Sequence, residues 1–156
     1  MSGSEIRVLL VCLGNICRSP MAESVMRWHH EQSALSHRFV VDSAGTSGFH
    51  AGENADPRTL DVLRRHGAPM PSRSRALSAE DFHTYDWVIG MDQSNMRNMK
   101  QMCPPGASAV IGLMLEVTNG AEVPDPYYGG PGGFDRVFDM LNEAVPLWTQ
   151  RMIDQS

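Results

Sequence analysis

Hydrophobic positions along this chain switch between two spacings, and the switching predicts strands and helices in turn. Ile6-Arg7-Val8-Leu9-Leu10-Val11 is a short apolar run followed at once by a glycine turn, the pattern of a buried strand. From Arg18 to about Gln32 the spacing becomes helical, with Met21, Val25 and Trp28 at i, i+4 and i+7. Residues 38–43 predict a second strand through Phe39-Val40-Val41. Asp56-Pro57 then opens a helix, an Asp cap followed by proline at the first position, and His66-Gly67 ends it. Residues 85–91 and 109–115 predict the third and fourth strands, the latter interrupted by Gly112. Between them a short helix begins near Ser94, carries Met96, Met99 and Cys103 on one face, and stops at Cys103-Pro104-Pro105-Gly106. The last helix carries a long stripe, Phe134, Val137, Phe138, Leu141, Val145, Trp148 and Met152, and Pro146 inside it predicts a kink or a split.

Strands alternating with helices, without repeats or an internal linker, predict a single α/β domain over residues 1–156. Its expected form is three-layered: a four-stranded parallel sheet with helices on both faces and a loop leading out of the first strand. Ligands of such sheets bind beyond the carboxyl ends of the strands. That rule directs attention to residues 12–20, 44–52, 91–94 and 118–133.

Composition narrows the setting. Hydrophobic residues are 42% and charged residues 20% of 156, ordinary for a globular domain. No apolar run approaches the roughly 18 residues of a membrane span. Met1-Ser2-Gly3-Ser4-Glu5 lacks the basic start and cleavage site of a secretory signal, so a cytoplasmic location is expected. A net charge of −5 argues against nucleic acid and anionic membranes as partners, while leaving room for a local basic pocket. Three cysteines, an odd number, fit a reducing compartment better than a disulfide framework.

The first strand runs into Cys12-Leu13-Gly14-Asn15-Ile16-Cys17-Arg18-Ser19-Pro20, then a helix. Cys-x5-Arg is a weak signal by itself; its position between a strand end and a helix N-terminus gives it meaning. A loop there can wrap its N–H groups around an oxyanion, and Gly14 and Asn15 tolerate the left-handed backbone such a wrap demands. Cys12 would lie at the base, where the helix N-terminus, the amides and Arg18 favour its thiolate. Arg18 offers a planar fork for two phosphate oxygens, and Ser19 can donate to the sulfur. Covalent catalysis through a phosphocysteine also needs a proton donor for the leaving oxygen. Asp125, between Pro124 and Pro126, is the candidate, and Tyr127 and Tyr128 beside it can wall a narrow cleft.

These stretches resemble the low-molecular-weight protein tyrosine phosphatases. The residues 12–20 followed by Met21-Ala22-Glu23 are similar to that family's signature loop, and Asp125-Pro126-Tyr127-Tyr128-Gly129 to its acid loop. Val41-Asp42-Ser43-Ala44-Gly45-Thr46, Asp56-Pro57-Arg58, His66-Gly67 and Met91-Asp92-Gln93-Ser94-Asn95 correspond as well. The resemblance implies Cys12 as nucleophile, Arg18 as phosphate clamp and Asp125 as general acid. It implies a supporting network of Asn15, Ser19, Ser43 and His66 around the loop, with Asp92 as a buttress. It places Phe49 as an aromatic wall opposite Tyr127 and Tyr128, with Leu13 completing the cleft. Phosphotyrosine-containing proteins are the implied substrates, for a monomer or weak homodimer using no metal and no cofactor.

Three rival readings share parts of this pattern. Arsenate reductases of the same fold add resolving cysteines downstream, and residues 78–91 contain none. Protein arginine phosphatases tend to carry Thr where this chain has Ile16, whose bulk favours tyrosine. A phosphotyrosine-binding module without turnover would not need Cys12, Arg18 and Asp125 together. Cys17, five residues from Cys12, is expected to form a reversible disulfide with it under peroxide. His29-His30-Glu31 reads as a dipole-favourable helix end, and Arg64-Arg65 and Arg73-Ser74-Arg75 as solvated charge.

Overall fold

The computed structural model describes residues 5–130 and 132–156; Met1–Ser4 of the chain start and Pro131 of the glycine-rich run lie outside the described residues. Four strands, β1 (Ile6–Cys12), β2 (Phe39–Gly45), β3 (Trp87–Gly90) and β4 (Val110–Leu113), pair in parallel in the order β2-β1-β3-β4. The helices among the described residues are α1 (Arg18–Gln32), α2 (Pro57–His66), α3 (Asp81–Thr84), α4 (Gln93–Met102) and α5 (Gly133–Asp154). The chain moves outward from β1 to β2, then crosses back to lay β3 on the other side of β1. Strand order therefore reverses between β1 and β3, where open α/β sheets leave a crevice beyond their carboxyl ends.

Alternation along β1 divides the core between the two faces. Val8, Leu10 and Cys12 join the larger cluster with Met21, Val25, Leu63, Phe138 and Trp148 from α1, α2 and α5. Leu9 and Val11 meet Phe82, Val88 and Met99 from α3, β3 and α4. A strand covered on both faces reads as a near-continuous apolar run, which is how β1 stands from Val8 to Cys12. No helix among the described residues is long and apolar enough to cross a membrane.

Two expectations need correction. The fourth strand ends at Leu113, and Met114–Val117 form a 3₁₀ turn because the Glu116 carboxylate accepts from the Leu113 N–H at 2.8 Å. Gly112 does not weaken β4; it makes room, since a Cβ there would stand 2.7 Å from Cη2 of Trp148. The indole lies against the strand and donates from Nε1 to the Met114 carbonyl at 2.7 Å. The last helix is one continuous element of 22 residues despite Pro146. Pro146 and Asn142, whose carbonyl loses its helical partner, both lie on the exposed side, where solvent access keeps the cost of the missing donor low.

The end of α1 is sewn to α5 by two histidines. His29 Nε2 lies 2.8 Å from Asn142 Oδ1, and His30 Nε2 lies 3.0 Å from Thr149 Oγ1. The His30 ring stacks on Phe39 at 4.0 Å and is 2% exposed. Burial, with a smaller contribution from His29, pushes its pKa down from 6.5 to about 4. The native state holds this ring neutral, whereas the unfolded chain takes up a proton as pH falls through 6.5. Stability tied to His30 is thus complete at pH 7 and is lost as pH falls towards 4, by about 3 kcal/mol. Urea unfolding at pH 7, 5.5 and 4 should show this loss in the parent protein and a correspondingly flatter profile in His30→Gln.

Candidate active site

The five residues between the end of β1 and the start of α1 form a loop whose carbonyl groups are tied outward. Thr46 N–H donates to the Cys12 carbonyl and Ser47 N–H to that of Leu13, both at 2.9 Å. Ser74 Oγ donates to the Gly14 carbonyl at 3.1 Å, and Asp56 N–H to that of Ile16 at 2.8 Å. Thr59 Oγ1 donates to the Cys17 carbonyl at 3.3 Å. In a planar trans peptide the next residue's N–H points opposite to the carbonyl. The N–H groups of Leu13, Gly14, Asn15, Cys17 and Arg18 therefore turn inward. Among the described residues those from Gly14 to Arg18 donate to no protein acceptor, and no side chain caps α1. Converging amides at a helix N-terminus make an anion site.

Backbone conformation at two positions makes this wrap feasible. Asn15 takes a left-handed φ of 56°. Its side chain accepts from the Arg75 N–H at 3.0 Å and donates to Ser19 Oγ at 2.7 Å. Gly45, at the end of β2, lies so close that a Cβ would be 2.8 Å from the Leu13 carbonyl oxygen and 2.9 Å from that of Ser47.

Cys12 stands at the base, 2% exposed, with Ser19 Oγ 3.1 Å from its sulfur. Ser19 Oγ accepts from Asn15, and its other neighbour, the Ala44 carbonyl, is distant at 3.5 Å. The hydroxyl proton is thereby directed to the sulfur. Arg18 is 4% exposed, and its NH1 donates to Asp92 Oδ2 at 2.7 Å and to the Val123 carbonyl at 3.1 Å. Nε and NH2 remain for an anion. Burial works against the guanidinium charge, but Cys12, Asp92 and Asp125 outweigh it and raise the pKa, so Arg18 stays cationic. Asp92 is itself fixed as the cap of α4, accepting from the Asn95 N–H at 2.7 Å.

Above this base opens a cleft of about 280 Å³. Leu13, Ile16, Phe49, His50, Tyr127 and Tyr128 wall it, and Asp125 stands at its lip, 4.0 Å from NH2 of Arg18. Asp125 Oδ1 accepts from the Tyr127 N–H at 3.0 Å. Tyr127 meets Tyr128 edge to face at 4.8 Å, and Phe49 meets His50 likewise at 4.9 Å. The volume is that of one aromatic ring with an anionic head, smaller than a drug-sized pocket.

The family model for low molecular weight phosphotyrosine protein phosphatases matches residues 7–156. The chain belongs to this family. A low molecular weight phosphotyrosine protein phosphatase of Schizosaccharomyces pombe is 47% identical over 141 residues, covering 88% of this chain and 90% of the relative. A protein tyrosine phosphatase from Entamoeba histolytica, solved with Hepes in its active site, superposes with a TM-score of 0.91 at 37% identity, over 97% of this chain and 99% of that one. A Drosophila arginine phosphatase superposes with a TM-score of 0.87 at 30% identity, over 94% and 97% of the two chains.

Within this family member the supporting residues divide. Asn15, Ser19 and Asp92 come together at the loop. Ser43 reaches it indirectly, by donating to the buried carboxylate of Glu23 at 2.6 Å. Glu23 also pairs with Arg27 and accepts from the Ser72 N–H at 3.1 Å and its Oγ at 2.8 Å. Ser72 thereby anchors the segment whose Ser74 and Arg75 hold the loop. His66 is not part of this network: its ring ends α2 and stacks on Phe138 at 3.9 Å. Arg75, read as solvated, is held by Asp81 at 3.0 and 3.1 Å and by Asp42 at 3.4 Å. Arg65 likewise pairs with Asp61 and Asp135.

Glu23 and His50 escaped the sequence reading as site residues. Glu23 had a signal in its i+4 spacing from Ser19 and to Arg27, which puts all three on one helix face. His50 had none. Replacing Asn15 with Ala removes two hydrogen bonds and leaves an alanine at positive φ. Asn15→Ala should lose about 2–3 kcal/mol of stability by urea unfolding and at least about 10-fold in inhibition by inorganic phosphate.

Proposed function

We propose that the cleft hydrolyses phosphotyrosine in proteins through a phosphocysteine intermediate. The observation that carries this reading is a thiol placed under inward-turned amides, with an anchored arginine beside it and a carboxyl group at the lip. The Cys12 sulfur attacks phosphorus while the P–O bond to the tyrosine ring breaks and Asp125 delivers its proton to the departing oxygen. Water then attacks the phosphocysteine, Asp125 takes its proton, and the S–P bond breaks to return Cys12 and release phosphate. The loop amides and Arg18 stabilise the equatorial oxygens in both steps. Ser19, donating to sulfur, assists its departure.

The narrow cleft favours the long aryl arm, and the Ile16 side chain on its wall supports tyrosine over phosphoarginine. Three free cysteines support a reducing, cytoplasmic setting. Purified protein should turn over phosphotyrosine peptides and leave phosphoarginine and arsenate untouched; the reverse preference overturns the substrate assignment. Cys12→Ser should abolish hydrolysis of 4-nitrophenyl phosphate, by at least about 10³-fold. Asp125→Asn should cost about 10²-fold in turnover of phosphotyrosine.

Cys17 has a separate role in this reading. Burial, followed by the negative charges of Asp56, Cys12 and Asp125, pushes its thiol up to about 12, so it stays protonated at neutral pH. Peroxide oxidises the Cys12 thiolate to a sulfenic acid, and the Cys17 sulfur then displaces water to form a disulfide. Recovery of activity with dithiothreitol after peroxide should be nearly complete in the parent protein and largely lost in Cys17→Ala; equal recovery removes the protective role.

A further inference from the structure

One side chain joins the cradle to the acid loop, and the proposed mechanism leaves it unused. Arg58 lies in the first turn of α2, whose start is tied to the cradle by Asp56 N–H on the Ile16 carbonyl and Thr59 Oγ1 on the Cys17 carbonyl. Its guanidinium grips Asp56 in a fork, Nε on Oδ1 at 3.0 Å and NH2 on Oδ2 at 2.9 Å. NH1 crosses to the acid loop and donates to the Tyr127 carbonyl at 3.1 Å. The same group lies over the Tyr127 ring at 5.1 Å and the Phe134 ring at 4.5 Å. The N–H of Tyr127 in turn holds Asp125 Oδ1 at 3.0 Å.

We propose that Arg58 is a positioning residue that sets where Asp125 stands over Cys12. The inference rests on the assignment of Asp125 as proton donor and extends it. Prolines on either side stiffen the backbone at Asp125 itself, but Gly129, Gly130, Gly132 and Gly133 follow the two tyrosines, so local backbone preference does little to fix where the loop as a whole lies over the cleft. A planar cation meets both requirements at once: the fork fixes it to Asp56, and its face and remaining N–H fix the loop to it. Removing it leaves Cys12, Arg18 and the amides intact and lets the carboxyl group drift, which harms only steps that need proton delivery.

That selectivity is measurable. Phenyl phosphate expels a poor leaving group that must be protonated, whereas 4-nitrophenyl phosphate expels a good one. Arg58→Met should lose about 10- to 100-fold in kcat/KM on phenyl phosphate and under about 3-fold on 4-nitrophenyl phosphate. In an Asp125→Asn background the same substitution should change neither by more than about 2-fold, because it acts through Asp125. Arg58→Lys, which keeps a donor for Tyr127 without the fork, should fall between, and it serves if Arg58→Met does not fold. Equal losses on both substrates, or a full further loss in the Asp125→Asn background, overturn the role of Arg58. If Asp125→Asn itself shows no dependence on the leaving group, the acid assignment falls and the proposal with it.

Discussion

An anion cannot be held by amides unless the opposite ends of those peptides are held elsewhere. Five carbonyl groups meet this condition, those of Cys12, Leu13, Gly14, Ile16 and Cys17, each facing a donor supplied from outside the loop that follows β1. Turning any one peptide over would place a carbonyl oxygen in the cradle and leave a donor buried without a partner, an error of about 1–3 kcal/mol even without a ligand. Much of the surrounding architecture can be understood as supply of those five donors. β2 ends in Gly45 so that residues 46 and 47 can lie against the loop, α2 starts where Asp56 reaches Ile16, and residues 72–77 run past Asn15.

Charge is handled by the same separation of duties. Arg18 is buried but never alone, because Asp92 and the Val123 carbonyl occupy one end of its guanidinium. Glu23 is buried completely and is satisfied by Ser43, Ser72 and Arg27. Each buried charge is paired and hydrogen-bonded, the condition under which such groups are tolerable. A chain with net charge −5 can therefore present a site for a dianion, since the local field comes from oriented peptides and one arginine.

Elements with a strong local cause were legible in the sequence. α1 has the bounds its spacing implies, α2 begins at its Asp-Pro cap and ends before Gly67, and all four strands occur in the expected order. Cys12, Arg18, Asp125, Tyr127 and Tyr128, singled out by loop length and flanking prolines within a few residues of chain, all line one cleft. Long-range partners were not legible. His66 closes α2 and Ser72 lies a few residues beyond it, and only tertiary packing decides that one stacks on Phe138 while the other meets Glu23. Arg75 looked like surface charge because Asp42 and Asp81 come to it from separate elements. Gly112 and Pro146 looked disruptive because the pattern of one chain segment does not show what surrounds it, an indole in one case and an exposed helix face in the other.

Three of the five donors that hold the cradle, those of Thr46, Ser47 and Asp56, belong to the main chain. A main-chain N–H survives almost every change of side chain, proline excepted. The anion site is thus insulated from most single substitutions at these positions, which alter its surroundings without removing its supports. It is exposed instead to changes in chain length. One residue inserted or deleted directly beside Thr46, Ser47 or Asp56 would move an N–H away from the carbonyl it holds, so the spacing at these points carries the information that their side chains do not.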